Sequence, residues 1–279
     1  MSSAALHSRR WPGSIPALPA LIFIAVIFVL PVCGVFLRGL TDPQIGVANF
    51  TELLSDQTFY GILFNTFLVA ILVTSFSALL GFPIAWLITI ASSRVARLVM
   101  AIVLLSMWTS LLARTYAWLV LLQNTGVINQ ALIGLGLIDQ PLAMVNNLTG
   151  IVIGMTYIMI PFVVLPLQTS MAAIDPTVLQ AASVCGAPRR KVFTSVFLPL
   201  ALPGLIAGAT MVFVMSLGYY VTPVLLGAAG NMMLAEYIVQ QVLNYLAWGI
   251  GGAASVILLV LTLAIYVPVL GLQRNAANT

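Results

Sequence analysis

The sequence predicts an all-α membrane protein with six transmembrane helices, a helical loop between the fourth and the fifth, and both termini in the cytoplasm. Three observations lead to this prediction. Hydrophobic residues make up 62% of the 279-residue chain and charged residues only 6%, with a mean hydropathy of +1.14. Six apolar segments are long enough to cross a bilayer, which takes about 20 residues each. The basic residues collect at one end of these segments.

The composition excludes several classes of protein. A soluble domain has about 25% charged residues, so ten bases and six acids are too few to cover a water-soluble fold of this length. This excludes an ordinary cytoplasmic enzyme, a nucleic-acid binder and a disordered chain. Cys33 and Cys185 are far apart, and His7 is the only histidine. The sequence therefore predicts no metal site built from cysteine and histidine.

The predicted spans follow from the apolar segments in chain order. They cover approximately residues 17–39, 61–90, 96–122, 143–170, 197–217 and 247–272. The first follows Arg9 and Arg10 as in a signal peptide, but its apolar run is too long for one, so we expect a retained span. The predicted division is an N-terminal part with the first helix and an outer loop (1–60), a transmembrane domain (61–272) and a C-terminal tail (273–279).

The distribution of basic residues predicts the orientation. With the N-terminus in the cytoplasm, eight of the ten basic residues fall on the cytoplasmic side, and only Arg38 and Arg114 do not. The eight are Arg9, Arg10, Arg94, Arg97, Arg189, Arg190, Lys191 and Arg274. Of the acids, only Asp175 falls on that side. Because cytoplasmic loops of membrane proteins are enriched in Lys and Arg, we expect both termini inside.

The segment between the fourth and fifth spans carries paired helix start and stop signals. Asp175 followed by Pro176 is typical of a helix N-terminus, because the carboxylate accepts a backbone N–H and proline needs none at the first position. Gly186 is a typical stop, since glycine tolerates the left-handed conformation. Pro188 then starts a second, basic helix. The pattern predicts two short helices joined by a tight turn, a shape suited to docking on a soluble partner in the cytoplasm.

The same segment resembles the EAA loop of ABC importer permeases, whose pattern is E-A-A, three residues, G, nine residues, I, one residue, L-P. The matching positions are Gln180, Ala181, Ala182, Gly186, Val196, Leu198 and Pro199. Gln180 replaces the family's glutamate and so removes a charge at the docking site that the resemblance implies. Val196 replaces the isoleucine, which is a conservative change.

Three further motifs resemble spermidine/putrescine-type permeases. They are WTSLLARTYAW at Trp108–Trp118, GVINQ at Gly126–Gln130 and YVTPVLLG at Tyr220–Gly227. These are similar to the family's W-T-S-x-x-x-R-T-Y-A-W, G-x-I-N and F/Y-V-T-P-x-L-L-G stretches. The resemblance covers approximately residues 60–270. It implies the first-type permease subunit of a polyamine-type ABC importer in a bacterial inner membrane.

The resemblance also implies partners and coupling residues. The partners are a second, different permease subunit, two copies of a cytoplasmic ATPase and a periplasmic substrate-binding protein. The chain contains no GxxxxGK[ST] motif, so ATP and Mg²⁺ are expected on the ATPase, and no catalytic residue or cofactor is expected here. The implied coupling residues, in a loop of approximately 174–198, are Gln180, Ala181, Ala182, Gly186, Ala187 and Arg189. Closure of the ATPases would pass through this loop and drive alternating access.

The residues expected along a substrate pathway are less sharply defined. A polyamine needs carboxylates or aromatic rings, but no acid lies well inside a predicted span, and Asp139 and Glu236 fall in predicted outer loops. The candidate pathway residues are Tyr219, Tyr220, Thr222, Tyr116, Trp118 and Arg114. The aromatic residues could equally form an interfacial belt. Arg114 could bind an anionic group, pair with an acid of a partner subunit, or reach the outer interface.

Alternatives to a polyamine substrate such as putrescine or spermidine follow from the same resemblance, because related importers carry aminoethylphosphonate, opine-like compounds or iron. From a different class, an ion-coupled secondary transporter usually has ionisable residues in mid-membrane and often two similar halves. The sequence shows neither. A membrane-embedded enzyme would need a His, Cys or acid constellation, which is also missing from the sequence.

Overall fold

The structure, a computed structural model, describes residues 18–277. Within this range the chain is helical and has no β-strand. The α-helices are α1 (Leu18–Ile24), α2 (Leu30–Thr41), α3 (Ala48–Ser55), α4 (Gln57–Ile90), α5 (Ser93–Trp108), α6 (Leu111–Leu122), α7 (Val127–Gly134), α8 (Leu148–Ala172), α9 (Pro176–Val184), α10 (Arg189–Val192), α11 (Leu198–Leu217), α12 (Val221–Leu226), α13 (Leu234–Leu243) and α14 (Trp248–Ala277). Single π-turns join α1 to α2 (Ala25–Val29) and α10 to α11 (Phe193–Phe197). The predicted cytoplasmic residues Arg9 and Arg10 lie outside the described range.

Five helical stretches are long and apolar enough to cross a bilayer. They are Leu18–Thr41, Gln57–Ile90, Leu148–Ala172, Arg189–Leu217 and Trp248–Val269, and they correspond to the predicted first, second, fourth, fifth and sixth spans. At about 1.5 Å per residue, the 34 residues of α4 extend over about 51 Å and exceed the hydrocarbon thickness of about 30 Å. The predicted all-helical membrane architecture is confirmed at this level.

The predicted third span is not one continuous helix, which corrects the interpretation of residues 96–122. α5 ends at Trp108, α6 begins at Leu111, and the helix direction changes by 100° between them. Thr109 and Ser110 have extended backbones. The Thr109 hydroxyl donates to the carbonyl of Ser106 at 2.8 Å, the acceptor that a continuing helix would offer to Ser110. The described residues thus contain five spans, or six if this bent pair counts as one.

The main core lies between α4, α8 and α11, which pack pairwise. α8 is its central helix, because Met155, Met159 and Val163 are all fully buried. By contrast, the large apolar side chains of α1 and of the π-turn that follows it face outward, with Phe23 64% and Phe28 70% exposed. An apolar outer surface of this extent is what lipid-facing helices require.

A second packing unit joins the N-terminal helices to the C-terminal helix. α14 packs along α2 and also contacts α3 and α13. The buried Asn49 of α3 connects the unit, because its side-chain amide donates to the carbonyls of Gly39 at 2.9 Å and Asp42 at 2.8 Å. Both are carbonyls at or beyond the end of α2, where a helix leaves acceptors unpaired. Asn49 therefore fixes the end of α2 against α3.

Candidate functional site

The loop between α8 and α11 begins as the sequence predicts. Asp175 has an extended backbone, and its Oδ1 accepts the N–H of Thr177 at 2.8 Å. Pro176 occupies the first position of α9. The hydrogen bonds from Thr177 stabilise the carboxylate and lower the pKa of Asp175 below its ordinary value. The charge at the start of α9 is therefore present at any physiological pH.

The end of α9 is a Schellman motif centred on Gly186. The N–H of Ala187 donates to the carbonyl of Ala182 at 3.2 Å, and the N–H of Gly186 donates to Ser183 at 3.0 Å. Gly186 has a φ of +79°, a left-handed conformation that a Cβ atom disfavours. The predicted end of the helix at Gly186 is confirmed. The left-handed backbone at this residue is the physical reason for a glycine there.

An aromatic stack anchors the loop on the core, and sequence reasoning did not find it. The ring of Phe193, in the π-turn before α11, lies 5.4 Å from Trp86 and 6.2 Å from Phe82 of α4. It also stacks on Phe197 at 5.5 Å. Leu179 of α9 packs against the same core. The loop is therefore in direct contact with α4 through Phe193 and with the main core through Leu179.

The implied coupling residues form an exposed surface on this loop. Gln180, Ala181, Gly186 and Arg189 are exposed, whereas Ala182 and Ala187 are half-buried. Val184, at the end of α9, is 88% exposed. A valine with this exposure next to a rigid turn offers an apolar contact for another protein.

At the opposite end of α8, three candidate pathway residues lie near one another. Thr222 of α12 is fully buried, and its hydroxyl lies 3.3 Å from that of Thr115 in α6. Arg114 is next to Thr115, and its charge acts on the neighbouring Tyr219. The Nε atom of Arg114 is buried and has no hydrogen-bond partner among residues 18–277. An unpaired buried donor of this kind is costly, so the arrangement is suited to an acceptor from outside the described chain.

The remaining aromatic candidates have separate surroundings. Tyr116 is 54% exposed, in keeping with the aromatic-belt alternative. Trp118 meets Tyr157 of α8 edge to face at 5.5 Å, on the wall of an apolar cavity of about 340 Å³. Tyr116 therefore faces outward from α6, and Trp118 packs against α8.

Tyr220 lies beside an acid that the sequence had assigned to an outer loop. Glu236 is in the first turn of α13, in the segment between the predicted fifth and sixth spans. Tyr220 and Glu236 line the same cavity. Tyr219, the preceding residue, instead packs against the main core. Asp139 is in an exposed loop, as predicted. Within residues 18–277, no three His, Cys, Asp or Glu side chains cluster as metal ligands would.

Comparison with known proteins finds curated relatives of this chain, although no family model matches it. The chain is 32% identical to the spermidine/putrescine transport system permease protein PotB of Escherichia coli (strain K12), over 75% of this chain and 76% of that protein. It is 34% identical to the inner membrane ABC transporter permease protein YdcU of the same organism, over 70% of this chain and 67% of that one.

Solved structures show the same fold. A bacterial alginate ABC transporter, solved in complex with an alginate pentasaccharide-bound periplasmic protein, contains a chain that superposes with a TM-score of 0.77. The match covers 95% of this chain and 94% of that one at 21% identity. Since PotB is more than 30% identical over three quarters of its length, the chain belongs to the spermidine/putrescine-type family of inner-membrane ABC transporter permease subunits.

Proposed function

We propose that the chain is the first permease subunit of an ATP-driven polyamine importer, with the loop Asp175–Leu198 as its contact with the ATPase. One observation carries this proposal. The loop combines a rigid glycine turn and an exposed apolar tip with an aromatic anchor on the core helices. The substrate class rests on the similarity to PotB. As a permease subunit the chain does not hydrolyse ATP itself.

The orientation is part of the proposal. Trp86, near the end of α4, contacts Phe193, the first residue after α10. The beginning of α5, with Arg94 and Arg97, therefore lies at the same end of the bundle as the basic residues of α10. A cluster of cations at one end supports a cytoplasmic location for that end. α13, which contacts the beginning of α4 through Thr66, would then be on the periplasmic side.

The assembly follows from the same family. We infer a second, different permease subunit, two copies of the ATPase bound at the coupling loop, and a periplasmic binding protein at the opposite end. Residues 61–272 would form the transmembrane domain. The helices before residue 60 would pack on its outside through the contact of α2 with α14. ATP binding would displace α9 and α10, and the Phe193 stack would pass that motion to α4 and α11.

The test is ATP-dependent uptake by the reconstituted assembly. The chain would be expressed with its second permease, ATPase and binding protein and placed in proteoliposomes. We expect saturable uptake of putrescine and spermidine from a panel that also holds a zwitterionic amine, a phosphonate and ferric ion. Uptake that needs no ATPase would contradict the importer assignment.

A second candidate substrate class is favoured by one observation. The unpartnered Nε of Arg114 lies in the Thr115–Thr222 region, where a substrate carboxylate or phosphonate could accept its hydrogen bond. Uptake of the phosphonate or the zwitterion alone would retain the importer and replace the polyamine assignment. It would also make Arg114 a pathway residue.

A further inference from the structure

A small cavity lies beside α13, at the end of the bundle opposite the coupling loop. Its volume is about 150 Å³. Its lining residues are Tyr220, Val224, Glu236, Val239, Gln240, Leu243 and Asn244. The cavity thus collects a carboxylate, two amides and one phenol ring, whereas the linings of two other cavities of the bundle are almost entirely apolar.

Packing on the opposite side of α13 fixes the direction of the cavity-lining face. The N–H of Leu234 donates to the Thr66 hydroxyl of α4 at 2.8 Å. Val242 and Ile238 lie over Gly251 of α14. With one face held by α4 and α14, the face with Glu236 and Gln240 is turned toward Tyr220. The rest of the described chain leaves this face only half-covered.

The charge of the cavity is unbalanced. Glu236 is half-buried, and burial raises the pKa of its carboxyl group above the ordinary value, against a smaller lowering by the backbone N–H of Met233. Among the described lining residues there is no Lys, Arg or His. A cation that entered the cavity would therefore recover part of the lost solvation of the carboxylate.

The other polar groups suit one kind of cation. A primary ammonium group has three N–H donors and no acceptor. Glu236 and the amide oxygens of Gln240 and Asn244 can each accept one of them. The ring of Tyr220 adds a surface for cation–π contact. A hydrophobic methylene chain attached to the ammonium would lie along Val224, Val239 and Leu243.

We propose that Glu236, with Tyr220, Gln240 and Asn244, binds a primary ammonium group of the substrate at the periplasmic entrance of the permease. This inference rests on the proposed polyamine import. It assigns to this chain a contact with the substrate that is separate from the periplasmic binding protein. The cavity receives one end of the substrate, and the remaining amines extend away from it.

A purely structural role for Glu236 makes a different prediction. Glu236 is three residues after the N-cap residue Met233 and can cap the helix through the Met233 N–H. Glutamine at this position retains the shape and a capping oxygen but loses the charge. The variant Glu236→Gln therefore separates ammonium binding from helix capping.

The experiment is initial-rate uptake of radiolabelled putrescine and spermidine by the complete transporter in proteoliposomes. Loss of a charge-assisted hydrogen bond lowers binding by about tenfold, so we expect Glu236→Gln to reduce polyamine uptake by about that factor at subsaturating substrate. Glu236→Asp should recover part of the rate. Tyr220→Leu should reduce uptake in the same direction. ATP hydrolysis stimulated by loaded binding protein serves as the measure of intact assembly.

A matched control is Glu52→Gln, the same change on an exposed acid of α3, which should transport as the unmodified protein does. Polyamine uptake by Glu236→Gln within twofold of the unmodified transporter would overturn the ammonium site while leaving the proposed function intact. If the unmodified transporter takes up no polyamine, the proposed function itself fails and the site fails with it.

Discussion

Gly252 of α14 lies directly against Gly39 of α2. A Cβ atom on Gly252 would be 2.7 Å from the backbone nitrogen of Gly39 and 2.5 Å from the carbonyl oxygen of Val35. Contacts this short are with backbone atoms, which cannot rotate away as a side chain can. Close approach of small residues is how helices associate in membranes, where no hydrophobic effect drives them together. The two glycines therefore determine how tightly the N-terminal span joins the bundle.

Gly252→Ala should weaken that contact. Forcing a methyl group into this interface is expected to cost about 1–3 kcal/mol. Thermal unfolding in detergent measures the loss. Gly34→Ala is the matched control on α2, because no described atom lies within 4 Å of its added Cβ. Equal stabilities of the two variants would contradict the close packing.

Gly186→Val should separate ATP hydrolysis from transport. A non-glycine residue in the left-handed conformation costs about 1–2 kcal/mol, and a β-branched one costs more, so the Schellman turn is expected to open. We expect uptake to fall by at least about tenfold while ATP hydrolysis continues. Gly186→Asn, which tolerates this conformation, should retain most of the uptake.

Gly136→Val is the control for local strain, since Gly136 has a φ of +68° in a loop remote from α9. A Cβ atom at either glycine has no described atom within 4 Å. If both valine variants lose transport equally, general destabilisation rather than coupling is responsible.

Phe193→Ala should disconnect the coupling loop from α4. The change removes the aromatic contacts with Phe82 and Trp86. We expect a destabilisation of about 2 kcal/mol, less than for a fully buried phenylalanine. Uptake should fall further than ATP hydrolysis, because closure of the ATPase would no longer reach α4. The control is Phe64→Ala, at an exposed site on α4. It should change neither the rate of uptake nor the rate of ATP hydrolysis.

The sequence predicted the parts of this fold that depend on local chemistry. Five of the predicted apolar segments are membrane-length helices in the structure. A run of about 20 apolar residues is enough to identify such a helix from sequence. Asp175 and Gly186 were recognisable because a helix start and a left-handed stop each depend on one residue type.

The features that sequence reasoning missed depend on contacts between distant residues or on the backbone conformation of one or two residues. The predicted third span ran through Thr109 and Ser110, because two polar residues within a long apolar segment give no sign of the 100° bend. Phe193 and Trp86 are separated by more than 100 residues, and no periodicity links them. The sequence placed Glu236 between the fifth and sixth spans but gave no sign of the helix α13, which packs against α4 and α14.

The last prediction concerns pH and Glu236. Burial raises the pKa of Glu236 in the folded protein above its value in the unfolded chain. Between these two pKa values the folded state binds more protons, so this residue makes the protein less stable as pH rises through that window. Tyr220 is the only other titratable side chain among the described lining residues. Glu236→Gln should therefore gain stability relative to the unmodified protein at pH 7.5 and lose that advantage below the ordinary pKa of glutamate, at about pH 4, measured by thermal unfolding without polyamine. A stability difference between the two proteins that is the same at both pH values would contradict the raised pKa of Glu236.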